Sequence, residues 1–73
     1  MEMNQRIRTY IKSHGLTFTH VAAQSGIDVK KFSRMMTGKQ RIGTDEYEKI
    51  CKALNVDPGY FFREKFLKTK NTA

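Results

Sequence analysis

The stretch FTHVAAQSGIDVKKFSRM, from Phe18 to Met35, decides how this chain folds. Thr17, just before it, can accept a bond from the first-turn N–H groups of a helix over Phe18 to Gln24, with Val21 and Ala22 as the small residues to bury. Gly26 supplies the positive φ that turns the chain sharply, and Asp28 caps a second helix running to Met36. With Val29 set at zero on a helical wheel, Phe32, Met35 and Met36 fall between roughly 240° and 340°. Val29, Lys30, Ser33 and Arg34 fall between about 0° and 140°, on the opposite side. One face is suited to a core. The other carries two cations, a hydroxyl and a β-branched side chain at a helix that begins just after a tight turn. Such groups can meet guanine acceptors, a phosphate and a thymine methyl in a major groove wide enough to admit a helix.

Working outward, Asn4 is read as the N-cap of a first helix, with Ile7, Tyr10 and Ile11 as an i, i+3, i+4 stripe and Gly15 as its stop. Gly38 marks the end of the helix that follows Asp28. Gly43 and Thr44 precede a fourth helix with Glu46 near its start and Tyr47, Ile50, Cys51 and Leu54 along one face. Asp57-Pro58, a cap followed by proline, opens a fifth segment; if it continues to Leu67, Phe62 and Phe66 lie on one face. Residues 68–73 form a polar tail expected to fray. The expectation is one all-α domain over residues 1–67, a compact arrangement of five short helices without strand-like alternation, repeats or low-complexity sequence.

Composition narrows the function. The 73 residues are 38% hydrophobic and 29% charged, too apolar for a disordered chain and too polar for a membrane one. The lone Cys51 excludes a disulfide framework and any multi-cysteine metal site, and His14 and His20 are too few to complete a zinc site with it. No apolar run approaches the ~20 residues of a membrane span, so a cytoplasmic location without a membrane partner is expected. The net charge of +7 points to a polyanion. It is unevenly placed: residues 3–44 hold eight bases against the single acid Asp28, and five of these bases (Lys30, Lys31, Arg34, Lys39 and Arg41) lie within twelve residues. Five of the seven acids fall after residue 44 and form no nucleophile–base or paired-carboxylate arrangement, so no enzyme is expected.

In the quoted stretch, Ala22 is small enough for two helices to cross closely, Gly26 lies four residues on in the turn, and Phe32 is apolar six beyond it. This is similar to the helix-turn-helix pattern. Together with Ile7, GLT (Gly15 to Thr17), VA (Val21-Ala22), SGI (Ser25 to Ile27), GKQR (Gly38 to Arg41) and KICKALNVD (Lys49 to Asp57), the chain resembles the lambda repressor and Cro-like family of bacterial and phage regulators over roughly residues 5–62. The resemblance implies a five-helix lambda repressor-like domain in which helices two and three form the helix-turn-helix. It implies that Val29, Lys30 and Arg34 face base edges, with Ser33 nearby, and that Lys31 lies closer to a phosphate. It further implies backbone contacts from Thr17, Phe18 and Thr19 at the start of the second helix, and from Lys39, Gln40, Arg41 and Thr44 behind the third.

Two positions depart from the family. Phe18 stands where members commonly carry Gln; it either contacts a sugar or thymine methyl or folds into the core. Ile11 and Met36 stand where many members pair Arg with Glu, so a hydrophobic contact is expected in place of the ion pair. His14 and His20 are read as helix-end or surface residues and Cys51 as a buried, inert thiol. The cluster Tyr60, Phe61, Phe62, Phe66 and Leu67 is either core closure or a homodimer interface that sets two reading helices about one DNA turn, ~34 Å, apart. The reading is a stand-alone, sequence-specific regulator, Cro-like, repressing bacterial or prophage genes by occupying a palindromic operator on double-stranded DNA. It needs no cofactor, metal or small-molecule ligand. The other reading is an antirepressor or co-repressor that uses the same fold to bind a protein, which has no need for the cations of residues 30–41 to converge.

Overall fold

Helix starts and stops in this chain are written locally, and they account for most of its architecture. The computed structural model describes residues 2–63. Four α-helices follow one another: α1 (Met3–Ser13), α2 (Phe18–Ser25), α3 (Val29–Met36) and α4 (Thr44–Leu54), then a one-turn 3-10 helix (Tyr60–Phe62). Among the described residues there is no strand. The expected fifth helix is, within that range, only the 3-10 turn; its continuation to Leu67 and the tail 68–73 lie outside the described residues. The preceding Pro58-Gly59 turn is anchored by Asp57, whose side chain accepts the Gly59 N–H at 2.8 Å.

Thr17 caps α2 by accepting the His20 N–H at 3.1 Å, and Asp28 caps α3 by accepting those of Lys30 and Lys31 at 3.1 and 3.3 Å. Asn4 does not cap α1. That helix begins two residues earlier, behind Glu2, whose N–H is held by the Gln5 side chain at 2.9 Å. Asn4 lies inside its first turn and donates its amide to the Met36 carbonyl at 3.1 Å, satisfying one of the carbonyls that α3 leaves open at its C-terminus.

Gly26 adopts φ +71°, and the Ile27 N–H reaches back to the Ala22 carbonyl at 3.0 Å. This five-residue return bond drops Ile27 into the core. The same bond closes α1, from Leu16 to Ile11, and α4, from Val56 to Cys51, each at 3.0 Å. In all three cases the residue so delivered is apolar and packs on the core.

The core collects Ile7 and Ile11 of α1, Val21 and Ala22 of α2, Phe32, Met35 and Met36 of α3, Ile50, Cys51 and Leu54 of α4, and Phe61. Ile11 and Met36 are both fully buried in it, as expected for an apolar replacement of an ion pair. α2 packs on α3 and α4, and α1 on α3 and the 3-10 turn. Arg6 ties the last of these together by donating Nη1 to the Phe61 carbonyl at 3.0 Å, across 55 residues of sequence. No helix among the described residues is long and apolar enough to cross a membrane.

Candidate nucleic-acid interface

α3 is two-faced to the degree the wheel requires. Phe32, Met35 and Met36 are fully buried, whereas Val29 is 42% exposed, Lys30 and Arg34 are exposed, and Ser33 is half-buried beside them. A valine at the first helical position with that much open surface is unusual for an apolar side chain in so small a core. It leaves a methyl-bearing contact next to two cations.

The stop of α3 differs from the other three. Gly38 turns at φ +84°, and the Lys39 N–H makes the same five-residue return bond, to the Arg34 carbonyl at 2.9 Å. The position that elsewhere delivers Leu16, Ile27 and Val56 to the core here holds a cation, and Lys39 stays exposed. Gln40 follows with its own N–H on the Arg34 carbonyl at 3.2 Å and its side-chain oxygen on Arg34 Nε at 3.2 Å. Arg41 is exposed next to it, as is Thr44 at the first position of α4.

Glu46 closes this loop from the far side. One carboxylate oxygen accepts the Gly43 N–H at 2.8 Å and the other meets Lys31 Nζ at 2.5 Å. The Lys31 hydrogen bond first, and the Gly43 N–H second, hold the Glu46 carboxyl below the usual carboxylate range. Lys31 is therefore matched by an acid on the neighbouring helix, while Lys30, Lys39 and Arg41 make no ion pair among the described residues. A side chain from α4 reaching back to α3 is set by packing; only the Gly-x-x-Glu spacing of Gly43 and Glu46, a half capping box, hints at it in the sequence.

At the start of α2, Thr17 and Thr19 are exposed, and the Phe18 and Thr19 N–H groups have no carbonyl within the helix to reach. Phe18 is half-buried, with its ring edge-on to Phe32 at 5.8 Å between centroids. That contact sets the N-terminus of α2 against the middle of α3. The structure thus favours the core role for the Phe18 ring.

A family model of the Cro/C1-type helix-turn-helix DNA-binding domain matches residues 6–63, from α1 through the 3-10 turn. This chain belongs to that family. It is also similar to an uncharacterized HTH-type transcriptional regulator, y4wC, of Sinorhizobium fredii (strain NBRC 101917 / NGR234), with 28% identity over 69 residues. The match takes in 94% of this chain and 48% of the relative, so the chain spans about half the length of that protein. No solved structure matches this chain.

The remaining candidates of this Cro/C1-type domain fall in different places. Phe61 is fully buried, and Tyr60 is half-buried with its ring edge-on to Phe61 and to Tyr10. Both serve core closure, so Phe61 cannot offer an interface. Phe62 is 64% exposed and lines an open, apolar groove of about 640 Å³ with Met3, Ile42, Tyr47 and Pro58. Phe66 and Leu67 lie outside the described residues. His14 follows the last turn of α1, stacked on Tyr10 at 3.9 Å with Nδ1 2.9 Å from the Tyr10 carbonyl. His20 is exposed on α2. Cys51 is buried on the core side of α4, and burial raises its thiol pKa.

Proposed function

We propose that this Cro/C1-type domain is a sequence-specific DNA-binding regulator of transcription, a Cro-like repressor of bacterial or prophage genes that acts by occupying an operator. The observation that carries the reading is the split on α3: three fully buried side chains on one face and an exposed Val29, Lys30 and Arg34 on the other. Such a helix, laid in a major groove, presents donors to base edges and a methyl pair to thymine. Val29, Lys30, Ser33 and Arg34 read bases. Thr17, Thr19, Lys39, Arg41 and Thr44, with the backbone N–H of Phe18, hold the backbone, with a smaller share from Lys31 because Glu46 neutralises it. Two copies bind a palindromic site, paired through the surface around Phe62.

Selection of double-stranded sites from a random pool by the purified full chain tests this reading. The expected outcome is a palindromic consensus whose half-sites lie about one turn apart, bound with steep salt dependence. Equal affinity for selected and random duplexes at low salt refutes it.

A further inference from the structure

In the loop behind α3, Gln40 touches Arg34 twice, through its backbone and its side chain, and the backbone of its neighbour Lys39 adds a third contact. The N–H groups of Lys39 and Gln40 both donate to the Arg34 carbonyl, at 2.9 and 3.2 Å, and Gln40 Oε1 accepts from Arg34 Nε at 3.2 Å. The atom assignment follows from chemistry, because a guanidinium offers only donors and so must meet the amide oxygen. The loop therefore returns over the last turn of α3 and closes a ring through a single residue. Thr37 stiffens the return by donating its hydroxyl to the Ser33 and Arg34 carbonyls, at 3.1 and 3.2 Å. Gln40 is half-buried; Arg34 is exposed.

We infer that Gln40 is a positioning residue for base reading, setting the guanidinium of Arg34 rather than holding the DNA backbone. This rests on the proposed reading of bases by Arg34. An arginine can present two parallel donors to a guanine in two ways, through its Nε edge or end-on through Nη1 and Nη2. With Nε engaged by Gln40, only the end-on pair is free, and it matches the O6 and N7 acceptors. The bond is solvent-exposed in the free protein and contributes little there. In a groove that has lost its water it fixes a side chain that otherwise spends rotamer entropy on binding. Gln40 thus acts on preference among bases, whereas a phosphate contact acts on affinity for all sequences alike.

The test measures binding of the full chain and its variants to a panel of duplexes that vary one operator base pair at a time. Arg34→Ala identifies the base pair Arg34 reads, by a loss of preference of about tenfold there. Gln40→Ala is expected to reduce preference at that same pair about five-fold, with the salt slope unchanged. Gln40→Glu keeps an acceptor for Nε, so it retains the preference while weakening every duplex by charge repulsion. In the Arg34→Ala background, Gln40→Ala changes the preference no further. If Gln40→Ala weakens all duplexes alike and leaves the preference intact, the positioning role is overturned while base reading stands. If the parent chain shows no preference at any pair, base reading itself fails and the positioning role falls with it.

Discussion

Met36 and Arg34 stand two residues apart on α3 and face opposite environments, one fully buried and one exposed. Each environment dictates a distinct response to substitution. Met36 shares the core with Ile11, and the buried residues that form that core are all uncharged. Met36→Glu is expected to destabilise the domain by about 2 kcal/mol more than the volume-conserving Met36→Leu, because an unpaired charge must be desolvated. Thermal and denaturant unfolding of the two variants measures this, and equal stabilities refute an apolar replacement of the ion pair. Arg34→Ala should instead leave stability nearly unchanged, lose about 1–3 kcal/mol of binding and relax one base position. Lys39→Ala, one turn behind it, should weaken all duplexes alike. Competition titrations with matched and singly substituted duplexes separate the two patterns.

At the scale of elements, the most informative feature is the contrast among the four helix stops. Those of α1, α2 and α4 return Leu16, Ile27 and Val56 to the core, whereas that of α3 returns Lys39 to solvent. The caps Thr17 and Asp28, the turn at Gly26 and the two faces of α3 were legible in the sequence because each depends on residues within about one turn of one another. Asn4 was misplaced for the same reason in reverse: its partner is the Met36 carbonyl, 32 positions away, and no local pattern announces it. The Lys31–Glu46 pair joins α3 to α4 and was equally hidden. Its consequence is measurable. Lys39→Ala should lower the magnitude of the log–log salt slope by about 0.9, and Lys31→Ala by much less, since Lys31 already has a counter-charge. The pair also has a signature in acid. Because the Glu46 carboxyl is lowered by Lys31 and the Gly43 N–H, its contribution is fully present above the ordinary carboxylate pKa and is lost only as pH falls through the lowered value. Glu46→Gln should therefore remove part of the acid limb of the stability curve, measured by acid unfolding of the two proteins side by side. An unchanged limb means that the exposed pair is too screened to matter.

For the molecule as a whole, the net charge of +7 resolves into parts with different destinations. Arg6 is committed to the Phe61 carbonyl and Lys31 to Glu46, which leaves Lys30, Arg34, Lys39 and Arg41 as the cations of α3 and its loop. The apolar surface is uneven as well. Phe62 stays 64% exposed at the rim of a groove whose lining includes Met3, Ile42, Tyr47 and Pro58. In the pairing proposed above, the Phe62 of each copy enters the groove of the other about a two-fold axis. The expected pairing on a palindromic operator makes a prediction that a monomeric domain does not. Phe62→Ser removes an exposed ring that meets Tyr47 edge-on at 5.8 Å, so the loss of fold stability should stay within about 1 kcal/mol. Binding to a single half-site should be unchanged. Binding to two half-sites should fall by about tenfold or more, because the second contact is no longer made at the high effective concentration that pairing provides. Titrating parent and variant against one-half-site and two-half-site duplexes reads both quantities. Equal losses on the two duplexes, or no loss on either, show that the second copy docks elsewhere or that the domain binds alone.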